Sequence, residues 1–469
     1  MSNNTLIEIN TVVNNSTGRI MHDIQREADI LGMKTLSIVG RRHVYSDVSC
    51  AKYGNALSFW THVIWTTLTD RHGLEPVLSG IYTKKMIRRI REANPDIIHL
   101  HNIHGYYLHY PTLMKYLAYE YKGKIVWTFH DLWPITGHCA YYSAVNCDKW
   151  VTGCNHCPNK KRYPISLGLD GSRKNYEIKQ QLFTSLRNLT ITVPSEWMAT
   201  QVKQSFMGKY PVEVIHNGID TSVFDYNRFV DDSGDVSKKS TGKSVLSDCN
   251  VNIVNCEKET SQSTNQNTAK FDTVGESNIT NTNANTDTNI TANCINIPSD
   301  KRILLSVASI WDDRKGLKDL VALADRLGDD YVMVIVGLSK HQIRKLPKNV
   351  IGITRTENVD ELVALYSRAT IFLNPSLEES FSLVTVEALS CGCPCIVLDT
   401  SAVGELISDE NGVVLHKHEP IDYINAIRVI EDRAYTRENV RKTAHKYDNK
   451  YMLDGYMRLY DKICKYVGN

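Results

Sequence analysis

The chain has 469 residues, of which 42% are hydrophobic and 23% charged, and its formal net charge is +2. This is ordinary globular material, with enough apolar chain for sizeable cores and room for about three domains at roughly 150 residues each. The near-neutral balance excludes nucleic-acid binding through bulk positive charge.

The elements alternate from the start. Residues 5–12 read as a strand that ends in Asn14-Asn15-Ser16-Thr17-Gly18. Ile20, Ile24, Ala28 and Leu31 then recur at helical spacing, and Gly32 is placed to stop that helix. Further strands are expected at 35–39, 96–100, 124–129, 189–193 and 212–215, with helical patterns such as 83–93 between them. Such alternation predicts a parallel sheet covered on both faces, a Rossmann-like unit over residues 1–220.

From 228 to 299 the chain turns into Asn, Thr, Ser and Asp with few large apolar residues. A tract of this kind buries too little apolar area to offset its ordering entropy, so a disordered low-complexity insertion is expected. A second α/β unit follows over 300–436. Its strands are expected at 303–307, 331–336, 371–374 and 395–398, and its helices at 316–327, 359–368, 383–390 and 421–431. Residues 437–469 read as terminal helix, with Tyr447, Tyr451, Leu453, Met457, Leu459, Ile463 and Val467 as its apolar set. The expected fold class is α/β, two doubly wound units facing a ligand cleft at the carboxyl ends of their strands.

No run reaches the roughly 20 apolar residues of a spanning helix. The longest uncharged run, 53–69, is interrupted by Asn55, Ser58 and His62. The first 13 residues carry no basic or long apolar leader pattern. The expectation is a cytoplasmic protein, soluble or peripheral at the inner membrane.

The sharpest motif is Glu379-Ser380-Phe381-Ser382-Leu383-Val384-Thr385-Val386-Glu387. Two carboxylates stand either side of a helix start. Small residues let the backbone approach a ligand there, and unpaired N–H groups suit a diphosphate. A second motif, Arg314-Lys315-Gly316, follows a strand and precedes a helix, so its cations can neutralise a leaving diphosphate without a metal. Taken singly, the two glutamates are equally helix-start and surface acids, and an isolated Arg-Lys is more readily a solvated charge pair at a helix start. Together they sit at strand ends of one unit.

In this order the motifs resemble those of retaining GT-B glycosyltransferases of family 4, of the bacterial capsule and colanic-acid type. Glu379 to Glu387 resembles the paired-glutamate signature, and Arg314-Lys315-Gly316 its basic segment. Val214-Ile215-His216-Asn217-Gly218-Ile219-Asp220, Phe372-Leu373-Asn374-Pro375-Ser376 and Ala388-Leu389-Ser390-Cys391-Gly392-Cys393-Pro394 are similar to other family stretches, so the likeness covers all but the polar tract. The resemblance implies a GT-B fold, an acceptor-binding N-terminal unit and a C-terminal unit that binds the nucleotide-sugar donor. It implies that the terminal helix crosses back onto the N-terminal unit. It further implies catalytic roles for His130 and Glu379, and donor binding by Gly18, Arg314, Lys315, Ser380, Phe381, Ser382, Leu383, Val384 and Glu387, with Glu387 on the ribose. No cofactor is implied for catalysis.

There are departures. Ser309 stands where the family often has a Gly-Arg pair, and Ser380 and Ser382 stand where glycines are common. These leave a catalytically decayed scaffold as one alternative. A sugar-nucleotide epimerase or phosphorylase on a similar fold is another.

Cys139, Cys147, Cys154 and Cys157 form a cluster whose last pair has zinc-knuckle spacing. A structural Zn2+ site or two disulfides is expected in this loop, 139–157, with four unpaired thiols as the plainer alternative. His99, His101 and His104 surround a strand end and lack a fourth metal ligand in sequence, so they are expected to line the acceptor cleft or to be ordinary strand-end residues. Lys84 to Arg91 form a basic helical face, either solvated or resting on anionic lipid near a lipid-linked acceptor.

Overall fold

The computed structural model describes residues 4–13, 15–41, 47–229, 297–298 and 300–465. The first sheet contains β1 (Thr5–Asn10), β2 (Lys34–Val39), β3 (Cys50–Lys52), β4 (Ile97–Leu100), β5 (Lys124–Thr128), β6 (Leu189–Val193) and β7 (Val212–Val214), in the order β3-β2-β1-β4-β5-β6-β7. The second contains β8 (Arg302–Val307), β9 (Tyr331–Val336), β10 (Val350–Ile353), β11 (Ile371–Asn374), β12 (Cys395–Leu398) and β13 (Gly412–Leu415), in the order β10-β9-β8-β11-β12-β13. Every pairing in both sheets is parallel. The strand order reverses between β1 and β4 and again between β8 and β11. Such switch points open a crevice at the strands' carboxyl ends, and both candidate half-sites lie there.

The sequence pattern explains the central strands. They are near-continuous apolar runs buried on both faces, as parallel strands with helices above and below must be. The short strands β3, β10 and β13 were not expected: β3 is Cys-Ala-Lys, and β10 and β13 each contain a glycine. The uncharged run at 53–69 proves to hold a helix, α2 (Ala56–Thr69), which follows α1 (Asn15–Ile30) and precedes α3 (Leu78–Ala93). Asn55 starts α2 through a capping box: its side chain accepts from Ser58 N–H at 2.9 Å, and Ser58 Oγ accepts from Asn55 N–H at 3.0 Å.

The expected terminal helix is two helices with different allegiances. Arg437–Ala444 packs on the second unit, burying Val440 and Ala444. Asn449–Lys465 lies on the first, where Met452, Tyr456, Met457 and Tyr460 join Leu6, Ile20, Ile24 and Val126 in one core. Most of the expected insertion at 228–299 lies outside the described residues, as does Asn14. Its margins correct the expectation. Arg228 pairs with Asp360 at 2.7 Å, Phe229 packs on the second unit's core and Ile297 is buried in it. An aromatic ring and a branched aliphatic side chain at the ends of the polar tract supply the apolar area that its middle lacks.

Candidate functional site

The C-terminal half-site gathers at the carboxyl ends of β8 and β11. Lys315 Nζ is ion-paired with Glu379 Oε1, both side chains being largely buried. Burial alone would raise the Glu379 pKa, but the Lys315 and Arg314 charges outweigh it and hold the carboxyl below its usual range. Arg314 donates to the Glu378 carbonyl at 2.8 Å and lies over the Tyr141 ring, 4.0 Å from its centroid. Gly316 is required where it stands: its φ is +71°, and a Cβ there would meet the Pro375 carbonyl oxygen at 2.4 Å. Only a glycine lets the basic segment lie this close to the loop after β11.

The helix Leu383–Ser390 opens from Ser382, whose φ is +90°. Asn374 fixes that turn by donating to Ser382 Oγ at 2.9 Å and to Thr385 Oγ1 at 3.0 Å. Glu387 lies further along, buried, and accepts from the Tyr366 hydroxyl at 3.1 Å. Burial raises its pKa, and the charge of Arg19, just after Gly18 on α1, pulls it back. Phe381 stacks on His216, with ring centroids 5.8 Å apart, so it joins the two units rather than lying open.

The N-terminal half-site follows β4 and β5. His130 Nε2 is 2.9 Å from His101 Nδ1, and burial pushes the His130 pKa down to about 4. Next to it, Asp131 is 2.8 Å from His104 Nε2, and His104 Nδ1 is 2.9 Å from the Tyr163 hydroxyl. The halves meet directly. Ser143 N–H donates to Glu378 Oε2 at 2.7 Å, Ser195 Oγ donates to the Ser380 carbonyl at 2.9 Å, and Arg162 pairs with Asp313 at 3.0 Å.

Comparison with known proteins fits this geometry. A family profile described as Glycosyl transferases group 1 matches residues 288–447, and one described as Glycosyltransferase Family 4 matches residues 47–223. The chain belongs to the GT-B glycosyltransferases of family 4 type. It is 32% identical over 136 residues to the Escherichia coli protein WcaC, named as a colanic acid biosynthesis glycosyl transferase, covering 28% of this chain and 33% of that one. It is 26% identical over 183 residues to a Campylobacter jejuni N-acetylgalactosaminyltransferase named for a diphospho-undecaprenol substrate, covering 37% and 48%. These matches thus span a third to a half of the relatives' lengths. The fold is shared with Anabaena HepE, solved with UDP-glucose, at TM-score 0.59 and 13% identity over 98% of this chain and 100% of that one.

Within this GT-B frame, Gly18 has a packing reason of its own. A Cβ there would lie 2.2 Å from the Val13 carbonyl, so α1 can start against the end of β1 only with glycine. His99 does not line the cleft: it is fully buried beneath the terminal helix, its Nδ1 2.7 Å from the Tyr460 hydroxyl and its Nε2 2.7 Å from Thr128 Oγ1. Glu8 of β1 completes a group with His99 and His101 whose ligand atoms are close enough to hold a metal. All four ring nitrogens already have protein partners, however, so the group is built as a hydrogen-bond network.

The four clustered cysteines line one small cavity with His138 and Trp150. Cys139 and Cys157 are hydrogen-bonded to each other, and Cys154 Sγ accepts from Gly137 N–H at 3.2 Å. The thiol set suits Zn2+ chemically. Among the described residues, however, no three of these sulfurs come within 4.8 Å of one another, so no tetrahedral site is formed as they stand. The loop's contribution to the cleft is Tyr141 and Ser143, which brace Arg314 and Glu378.

Sequence reasoning missed Glu378, Tyr141, Tyr163 and Glu8. For Glu8 a signal existed, a lone charge inside an apolar strand. For Glu378 it was the second acid in Glu378-Glu379.

Proposed function

We propose that the protein is a retaining glycosyltransferase that moves a sugar from a nucleotide-sugar donor to a glycan or lipid-linked acceptor in bacterial surface polysaccharide assembly. The observation that carries this reading is the buried Lys315–Glu379 pair at the switch point, with Arg314 beside it. A diphosphate entering here competes with Glu379 for Lys315 and reaches the N–H groups at the start of Leu383–Ser390. Those groups stabilise the charge that develops on the leaving diphosphate. Glu379, held ionised, accepts from hydroxyls of the transferred sugar, while Glu387 takes the ribose with the oxygen that Tyr366 leaves over. The acceptor hydroxyl attacks from the face the diphosphate leaves. This arrangement needs no divalent cation.

Calorimetry with a panel of UDP-, GDP- and ADP-sugars tests the reading, with Glu387→Ala alongside. One donor should bind and lose at least tenfold in affinity in the variant. No binding by any donor would turn the reading toward a decayed scaffold.

The surface favours a lipid-linked acceptor. Leu57, Trp60, Ile64 and Leu68 recur at helical spacing on α2 and are all exposed, and the exposed Leu167 and Leu169 lie beside them. On α3, to which His62 ties α2 through Ser79 at 2.8 Å, exposed Lys84, Lys85, Arg88 and Arg89 follow. An apolar stripe flanked by cations suits an anionic bilayer. Among the described residues no helix is long and apolar enough to cross a membrane. The protein should float with vesicles containing an anionic phospholipid and not with neutral ones, and the triple variant Trp60→Ser, Ile64→Gln, Leu68→Gln should stay in solution. Equal flotation of the variant would remove this face from the reading. For the cysteine loop we propose a bracing role, by bound Zn2+ or by the Cys139–Cys157 contact, and metal analysis of the purified protein separates the two.

A further inference from the structure

The buried carboxylate of Glu8 has no evident place in an apolar strand. It is 1% exposed, in the middle of β1, and its Oε2 has no hydrogen-bond partner. Its Oε1 lies 3.1 Å from His101 Nε2, and His101 Nδ1 lies 2.9 Å from His130 Nε2. The His101 and His130 rings are stacked, 5.2 Å apart at 11°. Three groups, on β1 and just past the ends of β4 and β5, therefore form one line from the core to the cleft.

A neutral imidazole carries one N–H, so it donates at one nitrogen and accepts at the other. The directions of the two bonds are thus coupled. If Glu8 is a carboxylate, His101 donates to it and accepts from His130 Nε2–H, and His130 Nδ1 is left as an acceptor. If Glu8 is a carboxylic acid with its proton on Oε1, every bond reverses and His130 presents Nδ1–H. Nδ1 has no partner among the described residues, and the ring keeps slight exposure at the cleft.

We infer that Glu8, as the neutral acid, and His101 are positioning residues that fix His130 in its Nδ1–H form, making it a hydrogen-bond donor to an oxygen of the bound substrates. This rests on the reading of His130 as a residue of the reacting cleft. Physical chemistry supports the choice of form. Burial raises the Glu8 pKa well above its ordinary value, with Asp29 adding to it, and burial lowers those of His99 and His101. The other groups that titrate around Glu8 are Tyr456 and Tyr460 of the terminal helix, and those around His130 are His104 and Asp131. Among the described residues no cation faces Glu8 to favour its ionised form.

The test is tautomer-resolved nitrogen-15 NMR of the histidine-labelled full chain, with and without donor. Wild type should show His130 and His101 protonated at Nδ1. Glu8→Gln, which still donates from its amide, should preserve both signals and keep kcat within about threefold. Glu8→Leu should release the tautomers and lower kcat by about tenfold to a hundredfold with the donor KM unchanged. A wild-type His130 protonated at Nε2 would overturn the inference, as would a Glu8→Gln variant that loses the Nδ1–H signal. The resting tautomer is read without turnover, so failure of the glycosyltransferase reading would show separately, as an intact tautomer in a protein that transfers no sugar.

Discussion

The two halves of the cleft are made of different materials. The C-terminal half is a charge cluster, Lys315, Arg314 and Glu379, in which the carboxyl is kept ionised against its burial. The N-terminal half is built around imidazoles, and burial depresses the pKa values of His99, His101 and His130. A charge cluster suits a partner that brings charge of its own, such as a diphosphate. Neutral rings suit hydroxyls, which must be oriented without being ionised. The contrast is the one that the proposed function calls for, with the donor in the charged half and the acceptor in the neutral one.

The largest expected effect breaks the charged half. Lys315→Met should cost a hundredfold to a thousandfold in kcat, as loss of a preorganised partner for a developing charge does elsewhere, about 3 to 4 kcal/mol. It also strands Glu379 in the interior, and breaking one side of a buried pair costs stability, about 3 to 5 kcal/mol. The double variant Lys315→Met, Glu379→Gln should recover most of that stability and none of the activity. Recovery of both would mean that the pair serves the fold alone. In the neutral half, His130→Ala should cost less, about tenfold to a hundredfold in kcat, because one neutral hydrogen bond is lost. Equal losses from the two halves, measured with one donor and acceptor, would erase the distinction drawn here.

A smaller effect tests the seam between them. Glu378 is buried, and burial raises its pKa to about 7, while Ser143 of the other unit donates to it. A carboxyl whose folded pKa lies above its unfolded value, here 4.5, favours the fold most when protonated. That stability is fully present below pH 4.5 and is lost as pH rises through about 7. One pKa unit is worth about 1.4 kcal/mol. Glu378→Gln, neutral at every pH, should therefore flatten the decline in denaturation midpoint between about pH 5 and pH 8. Parallel curves for the two proteins would show that Glu378 does not titrate in this window.

The same contrast governs what the sequence reveals. The charged half was legible because Arg314 to Gly316 and Glu379 to Glu387 are short contiguous segments at the ends of strands that the apolar pattern already marks. The central strands β9, β11 and β12 were legible for the same reason, each being a clean apolar run between polar turns. In the neutral half His130, His99, His101 and His104 stood out singly, but the network that joins them did not. Its line runs from Glu8 through His101 to His130 and is capped on the His99 side by Tyr460, a partner 361 residues from His99. Only the strand order β1-β4-β5 brings them together. Nothing local to His99 says that a tyrosine near the far end of the chain will cover it. Helix α2 was hidden differently: its exposed face is apolar, so the polar–apolar contrast that marks an amphipathic helix is weak.

The smallest effect concerns one of the two serines that stand where glycines are common. Ser382 holds φ +90° at the helix start, a region that costs a residue with a Cβ about 1 to 2 kcal/mol. Its hydroxyl offsets this by bonding to Asn374 at 2.9 Å and Thr385 at 2.9 Å, each such bond being worth about 0.5 to 1.5 kcal/mol. In Ser382→Gly the strain and the two bonds vanish together, so the unfolding free energy should change by less than about 1 kcal/mol in either direction. Donor affinity should respond more, because Asn374, at the end of β11, loses one of its two partners at the start of Leu383–Ser390 and keeps only Thr385. A variant much more stable than wild type would mean that the serine is retained at the expense of the fold, for the sake of the ligand. A variant much less stable would mean that its hydroxyl is a structural pin, and that its place beside the donor is incidental.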